Sequence, residues 1–305
     1  LQLDANTRTH LNLTENTTSN HKHTLYHVLD HTHTGMGKRL LKRWIHQPLR
    51  CPQQANERLD AISSLIGTTA QSTLSTILER IADLERILGR VALLTARPKD
   101  LEQLHLSLEQ LPALKHILND ASELQPFTQN LQCFESIHQH LKDALVENPP
   151  QLIRDGGVIA NGFDQTLDIL RNFSKNSAKT LSDIEQKERE RTGLSTLKLG
   201  FNKIHGYYLE LSKTQAEQAP DHYQRRQTLK HTERYIIPEL KQFEEQALSA
   251  HAKALAQEKA LYQTLLTDLI PHLQALQATA HAIAQIDVLN SLAFTAHKHN
   301  WSRPQ

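Results

Sequence analysis

His23, His27 and His31 recur at intervals of four, which places three imidazoles on one face if residues 22–31 are helical. Three imidazoles can hold Zn²⁺ with water in the fourth position. His21 and His33 lie close by. No Asp or Glu shares that face, and the chain carries 19 histidines, so composition is the simpler account and no residue is assigned to a metal. His138-x-His140 and His297-x-His299 are weaker still. Catalytic templates fail in turn. Gly157 and Gly162 have the glycine spacing of a phosphate-binding loop, but Phe163-Asp164 replaces the Lys-Ser/Thr pair it requires. Gly37-Lys38 is followed by Arg39, and Thr32 stands where the first loop glycine belongs. There is no His-Glu-x-x-His, Gly-x-Ser-x-Gly or Cys-x-x-Cys. The expectation is a chain without a catalytic site and without a cofactor of its own.

Charge points elsewhere. Residues 195–237 carry Lys198, Lys203, Lys213, Arg225, Arg226, Lys230 and Arg234 against Glu210, Glu217, Asp221 and Glu233, while the whole chain is only +1. Lysines and arginines near turns, with hydroxyl and amide neighbours, suit contacts to phosphates that position a protein without reading sequence. The competing reading is an ordinary solvated β module, in which Arg225 and Arg234 pair with Glu210 or Glu233.

The elements that must hold this patch are mostly helices. The chain has 305 residues, 38% hydrophobic and only 5% aromatic, a helical composition with ample length for about two domains. No uncharged apolar run reaches membrane-span length, no secretory signal opens the chain, and two cysteines predict a reducing cytoplasm. The start at Leu1 and the single Met, at position 36, predict an excised piece of something longer. Residues 1–13 alternate weakly and read as a short strand pair or an ordered linker. From Gly35 to about Pro150, Leu-rich helices follow, punctuated by Pro48, Pro52, Pro98 and Pro112. Leu40, Leu41, Trp44 and Ile45 share one helical face, as do Leu84, Ile87, Leu88 and Val91. A long helix is predicted from Gly162 to Arg191; its apolar stripe dies at Ile184, and Gly193 stops it. A second begins at Pro238, with Leu240, Phe243, Ala247, Ala250, Ala254, Leu261 and Leu265 forming a seam. The pair is expected to run antiparallel, as an arm projecting into solvent. Between them the period changes to two. Leu197, Leu199 and Phe201, then Tyr207, Leu209 and Leu211, read as a hairpin; Gln224–Leu229 and Arg234–Ile237 read as further strands turning at Lys230-His231-Thr232.

These residues resemble the MutS family of DNA mismatch-recognition ATPases. Thr24-Leu25-x-x-Val28-Leu29-Asp30 with Thr34-x-Met36-Gly37-x-Arg39-x-Leu41-x-x-Trp44 is similar to the start of its core domain. Asp83-Leu84-Glu85-Arg86-Ile87-Leu88, Arg97-Pro98-x-Asp100 and Arg154-Asp155-Gly156-Gly157-Val158-Ile159 fit later segments. The most specific stretches are Gly200-Phe201-Asn202 with His205-Gly206-Tyr207-Tyr208, and Arg225 to Lys230 through Glu233-Arg234-Tyr235, which resemble the clamp. The resemblance implies a lever of helices and a β clamp that touches the duplex backbone through Asn202 and Lys203 in one turn and Lys230 and His231 in another, with Arg226 added. His231 departs from the Asn often found there. It also implies a parent that binds mismatched DNA and, through a domain not matched here, ATP and Mg²⁺. The implied partners are duplex DNA, a second copy of the parent and other mismatch-repair proteins, with no membrane. The family's Phe-x-Glu mismatch reader has no counterpart; Phe243-Glu244-Glu245 fits by letters only, in a predicted helix.

The fold expected is therefore mainly α: a multi-helix lever with two long antiparallel helices carrying a small inserted antiparallel β clamp. Residues 1–34 would connect into the core, 35–193 and 238–305 would form the two parts of the lever, and 194–237 the clamp. The alternatives are a helical scaffold whose β tip binds a protein partner, and a metal-dependent enzyme built on the histidines.

Overall fold

A computed structural model describes residues 4–15, 21–119, 121–175, 177–202 and 206–304. It is mainly helical with one small antiparallel sheet, and it divides into two compact units, Leu1–Ala160 with Tyr262–Gln305, and Asn161–Leu261.

The first unit is organised around the Leu273–Lys298 helix, which is buried on nearly all sides through its middle: Ala280, Ala282, Ile283, Ala284, Ile286, Val288, Leu289 and Ala293 are all within 3% of complete burial. A helix apolar all round belongs at a core centre, and its alanines let neighbours approach closely. The helices Gly35–His46, Pro52–Leu65, Thr69–Leu78 and Leu84–Ala92 pack on it. Their starts follow from local chemistry. Thr34, Thr68 and Asp83 accept the first free N–H groups, and Pro52 and Pro98 occupy first turns, where a missing N–H costs nothing. Leu84, Ile87, Leu88 and Val91 are all buried, as their spacing predicts. Leu40 and Leu41 are buried too, while Trp44 is only half-buried and lies under the Arg58 guanidinium at 3.4 Å.

One buried carboxylate joins the two ends of this unit. Asp287, fully buried, accepts hydrogen bonds from His33 N–H (2.9 Å), Thr34 N–H (2.8 Å) and Thr34 Oγ1 (2.7 Å). Thr34 in turn caps Gly37 N–H at 2.9 Å. Gly37 is required because a Cβ there would lie 2.8 Å from Asp287 Cγ. The Thr34-x-Met36-Gly37 run is thus a capped helix start shaped to receive Asp287.

A second carboxylate is set by arginine. Asp100 accepts from Arg90 at 2.8 and 2.6 Å and from Arg97 N–H at 2.8 Å. Burial alone would raise its carboxyl, but the Arg90 guanidinium and the Arg97 N–H outweigh burial and hold it below 3.8. A carboxylate depressed on folding stabilises fully above its unfolded value, and that contribution is lost as pH falls through the folded value. Asp100→Asn should therefore flatten the fall of the urea midpoint between about pH 5 and pH 2; parallel profiles for variant and parent would refute this.

Two expectations are corrected at the N-terminal side. Among the described residues of 1–13, Ala5–His10 is a helix rather than a strand or a plain linker, with Asp4 capping Thr7 N–H; residues 1–3 lie outside the described residues. The short, polar segment offers no apolar period to betray it. Residues 22–31 are also not one helix. His23 ends a 3-10 turn, Thr24 starts the separate helix Leu25–Leu29, and His31 lies beyond its end, so the three imidazoles do not share a helical face.

In the second unit, Gln165–Lys175 and Ser177–Thr192 are helical on either side of Asn176, which lies outside the described residues. The helix Pro238–Leu269 begins at the predicted proline, and its residues through Leu261 belong to this unit. Arg171 meets Glu258 at 2.8 Å and Lys187 meets Glu239 at 3.0 Å, so the helices run antiparallel, as their flanking positions predict. Glu185 and Arg189 make the expected i,i+4 pair at 2.7 Å.

Candidate nucleic-acid interface

Four strands lie between those helices: β1 (Lys198–Asn202), β2 (Gly206–Ser212), β3 (Gln224–Thr228) and β4 (Thr232–Ile236). All pairings are antiparallel, in the order β1-β2-β4-β3. The two-residue period puts Leu209, Leu211 and Tyr235 on one face, where they pack with Leu197, Ile184, Leu240 and Phe243. The sheet is thereby fixed to the helix ends by one small apolar core.

The helical stripe that fades at Ile184 in the sequence continues one turn later as a carboxylate. Glu188 is 3% exposed and accepts from Tyr223 Oη (2.6 Å) and Arg191 (2.8 Å). Burial, and then the bond to Glu188, raise the Tyr223 phenol well above 10 and keep it neutral. No apolar pattern marks such a position.

The other face carries a stack across three strands. A Cβ on Gly200 would lie 2.7 Å from the Tyr208 ring, so the tyrosine covers the glycine; the Arg234 guanidinium lies over the same ring at 4.2 Å. Arg234 also donates to Glu210 (2.9 Å) and Gln227 (3.1 Å), and Arg225 pairs with Glu233 at 3.0 Å. These two arginines are engaged within the module, as the solvated-module reading expects.

The register decides where the remaining candidates lie. Ser212 pairs with Thr232, and Lys213 N–H donates to His231 C=O at 3.2 Å, so Lys213, Lys230 and His231 gather at one end of β2. All three are exposed, and no ion pair engages them among the described residues. Hydroxyls surround this end. Ser212 Oγ accepts from Thr196 Oγ1 at 3.2 Å and lies 3.0 Å from Thr214 Oγ1. Asn202, half-buried, pairs with Gly206 at the other end of β2, and Lys203 lies outside the described residues. Asn202 and Lys230 therefore lie at opposite ends of β2, separated by about 20 Å at 3.3 Å per residue. Strand order causes this, because β4 pairs with β2 and brings its own turn to β2's far end. Arg226 is exposed at the register shift between Arg225 and Gln227. Lys213 belongs with the candidates; its position follows from a strand pairing that hydrophobic pattern does not specify.

Gly206 has φ +71°, and a Cβ there would lie 2.7 Å from Glu244 Cδ. Glu244 therefore lies against the start of β2, and Phe243, the first of the mismatch-reader letters, is buried in the small core within the Pro238–Leu269 helix. Among the described residues, no group of three or more His, Cys, Asp or Glu could hold a metal ion, and no helix is long and apolar enough to cross a membrane.

A helical domain bearing a small antiparallel sheet on an antiparallel helix pair is the class this architecture defines. Residues 6–293 match the family model of MutS domain III. The chain belongs to the MutS family of mismatch-repair proteins, and the part it represents is a helical, non-catalytic domain.

Proposed function

We propose that the β module is a clamp holding the backbone of duplex DNA without reading bases, and that the helices are a lever relaying between DNA and an ATPase domain of the parent protein. The observation that carries this reading is the exposed group Lys213, Lys230 and His231 at one end of β2, which no ion pair engages among the described residues, in a chain of the MutS family. Asn202, Lys203 and Arg226 complete the proposed backbone contacts. With Asn202 and Lys230 about 20 Å apart, each would meet its own phosphates rather than share one. The module would be residues 194–237, with 35–193 and 238–305 as lever and 1–34 as connection. Proposed partners are duplex DNA and, for the parent, a second copy and other repair proteins in the cytoplasm.

The test is a salt series on plain duplex. If about four phosphates are neutralised, log affinity should fall with log salt at a slope of roughly −3.6, with Kd about 10⁻⁴ to 10⁻⁶ M near physiological salt. Homoduplex and a G·T mismatch should bind alike, because phosphate contacts carry no sequence information. A preference for the mismatch would refute backbone-only contact. Absence of salt-dependent binding would favour the scaffold whose sheet binds a protein.

A further inference from the structure

Within the first unit, a cavity of about 610 Å³ opens between the Thr69–Leu78 helix and the C-terminal part of the Leu273–Lys298 helix. His31, Gln71, Ser75, Asn290, Phe294 and His297 line it. Its size falls within the range of small-molecule sites, and no Lys, Arg, Asp or Glu contributes to the wall. Two amides in that wall are incompletely satisfied. Asn290, 1% exposed, donates Nδ2 to Ser75 Oγ at 3.0 Å, but its Oδ1 has no partner. Gln71, 8% exposed, has no partner for Nε2. Buried polar groups are nearly always paired, so an unmet acceptor and an unmet donor bordering one cavity need an explanation. Both amides belong to residues that line the cavity. Beside them, the Phe294 ring is 42% exposed and meets the edge of His31 at a centroid distance of 4.7 Å. Burial, and then Lys298, lower the proton affinity of His31, leaving that ring neutral near pH 7.

We propose that this cavity binds a neutral, planar carboxamide attached to an apolar ring, the amide donating to Asn290 Oδ1 and accepting from Gln71 Nε2 while the ring lies against Phe294. The site lies in the first unit, and its test does not depend on DNA binding. Benzamide is the probe, titrated into the full 305-residue chain by calorimetry and ligand-observed NMR. Benzoate, with the same ring but no donor, should bind about tenfold more weakly, because it leaves Asn290 Oδ1 unmet. Gln71→Met keeps the bulk and removes the donor; Phe294→Ala removes an already exposed ring with little risk to folding. Each should weaken benzamide about fivefold. No saturable benzamide binding, equal binding of benzoate, or unchanged affinity in both variants would overturn the proposal. So would ordered waters on both amides that benzamide leaves in place.

Discussion

Asp287→Ala should destabilise the first unit by about 3 kcal/mol, read from the urea midpoint at constant slope. The change leaves three donors unmet: His33 N–H, Thr34 N–H and Thr34 Oγ1. Two of them belong to a helix start that nothing else satisfies in the same way. Burial holds the Asp287 carboxyl above 3.8 despite those donors, so the site tolerates a carboxylate at a cost and has no slack for losing its partners. Gly37→Ala should cost about 2 kcal/mol by overpacking, because its new Cβ falls 2.8 Å from Asp287 Cγ. The two changes should not add. With Asp287 truncated, the alanine at position 37 meets mainly Cβ at 3.1 Å, and its cost should shrink by more than about 0.5 kcal/mol. Additive effects would mean that the carboxylate does not impose the glycine.

Reversing Lys213 and Lys230 together to Glu should weaken binding to homoduplex and G·T duplex alike, by about tenfold or more at low salt, and should halve a slope of roughly −3.6. Both side chains are exposed and outside every ion pair among the described residues, so helical circular dichroism should be unchanged. A matching reversal of Arg234 would be a poorer probe. It would break the bond to Glu210 and the stack on Tyr208, mixing loss of structure with loss of contact. Undiminished binding by the double variant would remove this end of β2 from the interface.

Much of the fold is legible because local rules and global packing agree. Leu84, Ile87, Leu88 and Val91 announce a buried helical face, Pro238 announces a helix start, and alternation from Leu197 to Leu211 announces strands. What the pattern misses is long-range. Asp287 meets Thr34 across 253 residues, and an isolated Asp in an apolar helix carries no mark of its partner. Glu188 occupies a core position through hydrogen bonds that hydrophobicity does not register. The candidate interface was readable as residue types but not as an arrangement. Lys230 lies in a turn and Asn202 ends β1, and the pairing of β4 with β2 sends the two to opposite ends of β2.

The central position of the Leu273–Lys298 helix has a consequence for biosynthesis. The first unit is assembled from two separated stretches of chain, and the helix at its centre belongs to the second. As the polypeptide leaves the ribosome, the stretch that holds the helices between Gly35 and Ala144 emerges before the helix that covers their apolar faces. Residues 161–261, by contrast, are contiguous and complete their own small core first. Domains fold as units during synthesis, and exposed apolar surface is what draws chaperones. The nascent chain should therefore hold an open, chaperone-accessible helical array while the sheet-bearing unit is already closed. Closure should come only when Asp287 and its neighbours clear the exit tunnel.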